Sequence, residues 1–287
     1  AQRHRLDDLL AEGLGLLLFM WLANYLSVEN YAKFGLLYAL QAGVAGLAAA
    51  GIVEVVIGLL KSYESKESRI ALFSGANTVF LGLSLMCVVL VALGSGLLMR
   101  LSGAALLVLF AAAIAGVLTA YFAMQSQLVR LEEKHGASLA LNFFPPLVGL
   151  LGGAIGLMTV DGVAGFFVGY SIGLLASLVP FNLLKVGFYG FVRQAQQTLP
   201  ITLRIAPYIP IAVLGWGSGY GNTYLVQSFF TPLDVARFTF AYSLSSIMQL
   251  VATSLNQVWS PRVFKLIHEA PFSEVEKRNR RFYTTQG

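Results

Sequence analysis

Six hydrogen-bonding side chains, Thr239, Tyr242, Ser246, Gln249, Thr253 and Asn256, recur at alternating spacings of three and four within an apolar run. A helix carries positions so spaced on one face. Hydroxyls and amides exchange hydrogen bonds without changing charge, and turning them towards lipid is unfavourable. This face therefore meets either other helices or water. The reach of Gln249 and Asn256 favours a lumen. Asn24, Gln41 and Asn222 join them as lumen candidates, and Asn77 and Asn142 are intramembrane polar groups of the same kind.

Charge is scarce inside the apolar runs. Glu54 is the one carboxylate well within such a run, with Lys61 seven residues on along the same helix face. An ionised group near the bilayer centre costs about 2.5–3.5 kcal/mol or more and calls for a partner or an aqueous path. A local pair with Lys61 or snorkelling to the nearby membrane end accounts for Glu54; coupling to a proton or cation is the sharper alternative. Lys33 and Arg237 sit at helix starts, where they anchor to headgroups or, at the edge of a cleft, offer paired positive charge to an anionic substrate.

Catalytic constellations are missing. His4, His135 and His268 lie outside the apolar runs, no Cys/His set has metal-ligand spacing, and there is no phosphate loop. The expectation is a protein that is not an enzyme and uses no metal or cofactor. Cys87, the single cysteine, reads as a small packed hydrophobe.

The elements that position these residues follow from composition. Of 287 residues, 57% are hydrophobic and 11% charged, with mean hydropathy +0.73, a balance that excludes a water-soluble domain. Apolar runs of about 20 residues predict an all-α, polytopic membrane bundle of about eight helices. They fall near 9–28, 34–60, 77–98, 103–124, 137–158, 163–184, 205–229 and 238–258. Pro145, Pro146, Pro207 and Pro210 fall within the fifth and seventh runs. Sixteen of the nineteen Lys and Arg residues lie on one side if both termini are cytoplasmic, leaving Lys33, Arg100 and Arg237 outside. The net charge of +5 is largely this bias and implies no nucleic-acid partner.

One long-range regularity organises the chain. Ser27, Ala32, Lys33, Phe34, Tyr38 and Leu40 match Thr231, Ala236, Arg237, Phe238, Tyr242 and Leu244 at a constant offset of 204, and Gly13 and Gly15 fall on Gly217 and Gly219. The seventh and eighth runs thus correspond to the first and second. This predicts a six-helix lobe (1–184), an amphipathic cytoplasmic linker (185–204), the first two helices of a second, parallel lobe (205–259) and a basic tail (260–287), as in a fragment of a two-lobe protein. Gly215, Gly217, Gly219 and Gly221 predict close helix packing in the seventh run or, with Pro207 and Pro210, a bend.

The turn Leu26-Ser27-Val28-Glu29-Asn30-Tyr31-Ala32-Lys33-Phe34 resembles that after the first helix of polysaccharide and O-antigen flippases, in the multidrug/oligosaccharidyl-lipid/polysaccharide exporter superfamily. Ala50-Gly51-Ile52 is similar to a small-residue step late in their second helix, and Asn256-Gln257-Val258-Trp259-Ser260-Pro261 to the close of their eighth. Ala32 stands where the family has glycine, and no Lys or Arg occupies mid-span, a departure from the family's cationic cavity. The resemblance implies a bacterial inner-membrane transporter that flips an isoprenoid-diphosphate-linked oligosaccharide by alternating access. Its partners would be membrane lipids and the polymerase or glycosyltransferases of cell-surface polysaccharide assembly. A multidrug or cation antiporter of the same superfamily is the alternative, and an integral membrane glycosyl- or acyltransferase is the alternative from another class.

Overall fold

The computed structural model describes residues 20–63, 65–160, 162–183, 189–191 and 195–245. They form a multi-pass, all-α membrane bundle. In chain order the helices are α1 (20–25), α2 (Val28–Ala48), α3 (Ile52–Leu60), α4 (Lys66–Ser102), α5 (Leu106–Leu131), α6 (His135–Thr159), α7 (Val163–Leu183), α8 (Ala195–Ile205), α9 (Tyr208–Ser218), α10 (Asn222–Phe229) and α11 (232–245). Five spans among the described residues are long and apolar enough to cross a membrane, or six if the bent pair α8–α9 counts as one. The chain-terminal parts of the first and last expected spans, 9–19 and 246–258, lie outside the described residues.

Local chemistry sets the helix limits. Ser65 caps α4 by accepting from the Ser68 amide at 3.1 Å, Glu67 complements the first turn, and Gly103 ends the helix in the left-handed region at φ +64°. The resulting 37 residues extend about 55 Å, well beyond a hydrocarbon core of about 30 Å. The cytoplasmic loop expected before Asn77 is therefore helix. Gly51, at φ +67°, interrupts the second span between α2 and α3. A side chain there would be strained, and its first carbon would strike the Tyr208 ring.

The tightest helix pair is α6–α7. Methyl groups at Gly152 and Gly156 would meet the carbonyl oxygens of Gly169 and Gly165, and the reverse holds as well. The backbones touch through glycine on both sides, the arrangement that drives helix association where lipid removes the hydrophobic incentive. By contrast Gly215 and Gly217 have open space around them. In that part of the chain the bend is what forms: α8 and α9 meet at 46° and a further break at 219–221 precedes α10.

Two apolar clusters hold the bundle. One centres on Phe34 of α2, which packs on Phe166 and Phe167 of α7 with ring centroids 5.4 and 5.7 Å away. The other joins Ile52, Val56, Leu72, Phe73 and Leu128 to Ile201 and Ile205 of α8. The amphipathic linker is thus helical over its second half, and its apolar side packs on α3 and α4.

Candidate functional site

The 204-residue offset is visible in the local geometry. Ser27 caps α2 by accepting from the Asn30 amide at 3.3 Å. Its counterpart Thr231 opens α11 and donates to the Asp234 carboxylate from both its amide, at 3.1 Å, and its hydroxyl, at 2.6 Å. In the preceding helices, Asn24 donates to the Met20 carbonyl at 2.9 Å and its counterpart Ser228 to the Tyr224 carbonyl at 2.8 Å. The stacked pairs Phe34–Tyr38 and Phe238–Tyr242 have centroids 6.0 and 6.1 Å apart.

The two copies also touch at equivalent positions. A methyl group on Gly35 would collide with the side chain of Thr239, its own counterpart. Tyr38 and Tyr242, likewise equivalent, sandwich Tyr220 from the turn between α9 and α10, with centroids 5.6 and 4.8 Å away. Residues paired by the offset thus lie face to face across α2 and α11. Tyr38 stands about 15 Å along α2 from Val28, half the depth of a hydrocarbon core.

Two further hydrogen bonds fix this crossing. The Trp216 indole donates to the Ala39 carbonyl at 2.7 Å, and the Tyr224 hydroxyl to the Leu36 carbonyl at 2.7 Å. Trp216, Tyr220 and Tyr224 fall four residues apart, an aromatic stripe legible in the sequence but not identified as functional there. Behind the tyrosines the Tyr170 hydroxyl lies beside the Thr119 hydroxyl and the Gln41 amide. Gln41 and Tyr170 are buried. The Thr239 hydroxyl is buried at the crossing without a hydrogen-bond partner.

The candidates from sequence divide accordingly. Gln41 and Tyr242 belong to the crossing and the polar group behind it. Asn24 is exposed and bonded to its own helix; Asn222 is half-buried and returns its amide to the Ser218 carbonyl at 2.7 Å. Ser246, Gln249, Thr253 and Asn256 lie outside the described residues. Lys33 pairs with Glu29 at 3.0 Å, and Arg237 is exposed near Asp234. Glu54 lies in the first turn of α3, exposed on the same side as Ile57 and Lys61, and no ion pair joins it to Lys61.

A second polar assembly clamps the start of the linker. Ser74 donates to the Tyr189 carbonyl, Asn77 donates to the Gly190 carbonyl at 3.1 Å, and Gln125 donates to the Asn77 side-chain oxygen at 2.5 Å. The Tyr189 ring packs on Phe73 with centroids 4.9 Å apart. Burial, then the neighbouring Glu132 carboxylate, holds the Tyr189 phenol above its ordinary pKa. The intramembrane polar residue Asn77 thus has a structural partner in the linker.

Comparison with known proteins gives no match: no family model, no curated protein and no solved structure is similar to this chain.

Proposed function

We propose that this chain is part of a two-lobe transporter that flips an isoprenoid-diphosphate-linked oligosaccharide across the bacterial cytoplasmic membrane for cell-surface polysaccharide assembly. The observation that carries the reading is the α2–α11 crossing, where residues paired by the 204-residue offset meet about 10–15 Å along α2 from its start. Transporters built from repeats place their path at the repeat interface near the midplane, and broken helices line it. Gly51 and the α8–α9 bend, which meet through Tyr208, supply such breaks about 20 Å further along the same span. The available polar groups, Gln41, Tyr38, Tyr220 and Tyr242, are neutral hydrogen-bonding side chains of the kind that suits a hydroxyl-rich solute.

The test is reconstitution of the full-length protein into vesicles carrying a fluorescent isoprenoid-diphosphate oligosaccharide in both leaflets. With an impermeant quencher outside, active protein makes the inner-leaflet label accessible, and protein-free vesicles do not. Quenching no greater than in protein-free vesicles sinks the reading. Export of cationic drugs in its place, abolished by Glu54→Gln, transfers the chain to the antiporter class.

A further inference from the structure

The tyrosine sandwich closes something. Tyr220 sits in the only turn that separates α9 from α10, flanked by Gly219 and Gly221, and its ring fills the space between Tyr38 of one repeat and Tyr242 of the other. Next to Tyr38 is Tyr170 of α7, whose hydroxyl lies beside Gln41 of α2 and Thr119 of α5, all neutral polar side chains. Neutral polar side chains at such a depth tie helices together or line a path that solvent reaches in another state, and their place next to the tyrosines at the crossing favours the path. The hinge for such a state is in place. Gly215 and Gly217 pack against nothing on the side where a side chain would stand, and the chain bends both before α9 and after it. The closed contact also leaves the Thr239 hydroxyl buried and unpaired, a cost that opening would relieve.

We propose that Tyr220 is a stopper: seated between Tyr38 and Tyr242 it seals the repeat interface over the Gln41–Thr119–Tyr170 group, and withdrawn by flexing of the 215–221 segment it opens that group to water. The inference rests on the transporter reading, because a stopper implies a path. It adds the residue that closes the path and the side chains that the closure covers.

The reporter is a cysteine at Thr119, a change of similar volume, placed in the full chain with Cys87→Ala removing the native thiol. Thr119→Cys is scored in nanodiscs by its rate of reaction with a membrane-impermeant maleimide. With Tyr220 intact the thiol is protected. Tyr220→Ala raises the rate at least about tenfold, Tyr220→Phe leaves it low because the ring alone fills the gap, and Tyr242→Ala, which removes the far side of the sandwich, raises it again. Gln41→Cys is the second reporter and follows the same order. Size-exclusion profiles and melting curves accompany each variant, and the Tyr242→Ala arm decides the matter if Tyr220→Ala does not fold. Fast labelling with Tyr220 present, or equal rates in the parent, Tyr220→Ala and Tyr242→Ala, overturns the stopper. The vesicle assay separates the two claims: unlocked labelling without glycolipid flipping leaves the stopper standing and removes the substrate, whereas flipping with unchanged labelling does the reverse.

Discussion

Replacing Asn77 with Leu tests the linker clamp. Asn77 is fully buried and ends two hydrogen bonds, one to the Gly190 carbonyl and one from the Gln125 amide. At about 0.6–1.7 kcal/mol for each such bond in a membrane protein, its loss costs about 1–3 kcal/mol. Gln125→Leu is milder, because it breaks one bond and also removes Oε1, an oxygen already buried without a partner. That loss is about 0–1 kcal/mol. The double variant leaves only the Gly190 carbonyl unpaired, so it is less destabilised than Asn77→Leu alone, by about 1 kcal/mol. Hydrogen exchange at the Tyr189 and Gly190 amides reads the undocking directly. Asn77→Leu accelerates it about 5- to 150-fold, the equivalent of about 1–3 kcal/mol. If the two single effects simply add in the double variant, the amides are not acting through one another and the clamp is misread.

Other expectations are quicker to check. Gly156→Ala, which drives a methyl into the Gly165 carbonyl, lowers stability by about 1–3 kcal/mol, whereas Gly215→Ala, in open space inside α9, is neutral or stabilising by up to about 1 kcal/mol; melting in detergent distinguishes them. Thr231→Ala removes the hydroxyl half of the Thr231–Asp234 cap of α11 and leaves the amide half, so exchange in the first turn of α11 quickens while the helix persists. The Thr231 hydroxyl and amide hold the Asp234 carboxyl below its usual 3.8, so this cap is intact above that value and is lost as the pH falls through the lowered one. A carbon-13 titration of Asp234 that midpoints above 3.8 contradicts the cap. Trp216→Phe leaves the Ala39 carbonyl without its indole donor and weakens the seating of α9 on α2 by about 0.5–1.5 kcal/mol, seen as faster exchange along α9.

Much of this was legible because a bilayer makes hydropathy decisive: the spans 137–158 and 163–184 lie within two residues of α6 and α7. Boundaries failed where capping outran hydropathy. Ser65 starts α4 eleven residues before the apolar run, and Gly103, expected to open a span, closes one. Glycine pattern alone misled as to place. Runs at 149–156 and 165–173 meet one another, while the run at 215–221 meets mostly space and one tyrosine, and nothing in a single segment says which partner it will find. In sequence Gly51 is only a small-residue step; the left-handed backbone with Tyr208 against it makes it a break in the span. The Asn77 amide is ambiguous in sequence for the same reason: its partner is a linker more than a hundred positions away.

The repeat itself is the part of the sequence that structure makes most testable. Similar composition gives similar helices, but it does not give helix starts at Ser27 and Thr231, whose carbonyls accept from Tyr31 and Val235, or equivalent back-bonds at Asn24 and Ser228 in one register. Where residues paired by the offset lie face to face, both side-chain volumes must fit at one point. At the crossing this is met by a small residue in one copy and a larger one in the other, Gly35 against Thr239. Gly35→Thr puts two branched side chains into that space and costs about 1–3 kcal/mol through overpacking. Gly35→Thr with Thr239→Gly restores the summed volume with the roles exchanged, so it recovers most of the loss even though Gly in α11 forfeits about 1 kcal/mol of intrinsic preference and Thr in α2 regains part of it. Melting of the parent, the single and the swapped variant gives the answer. A swap no better than Gly35→Thr alone means that α2 and α11 do not meet as equivalents, and the pairing inferred between the two copies goes with it.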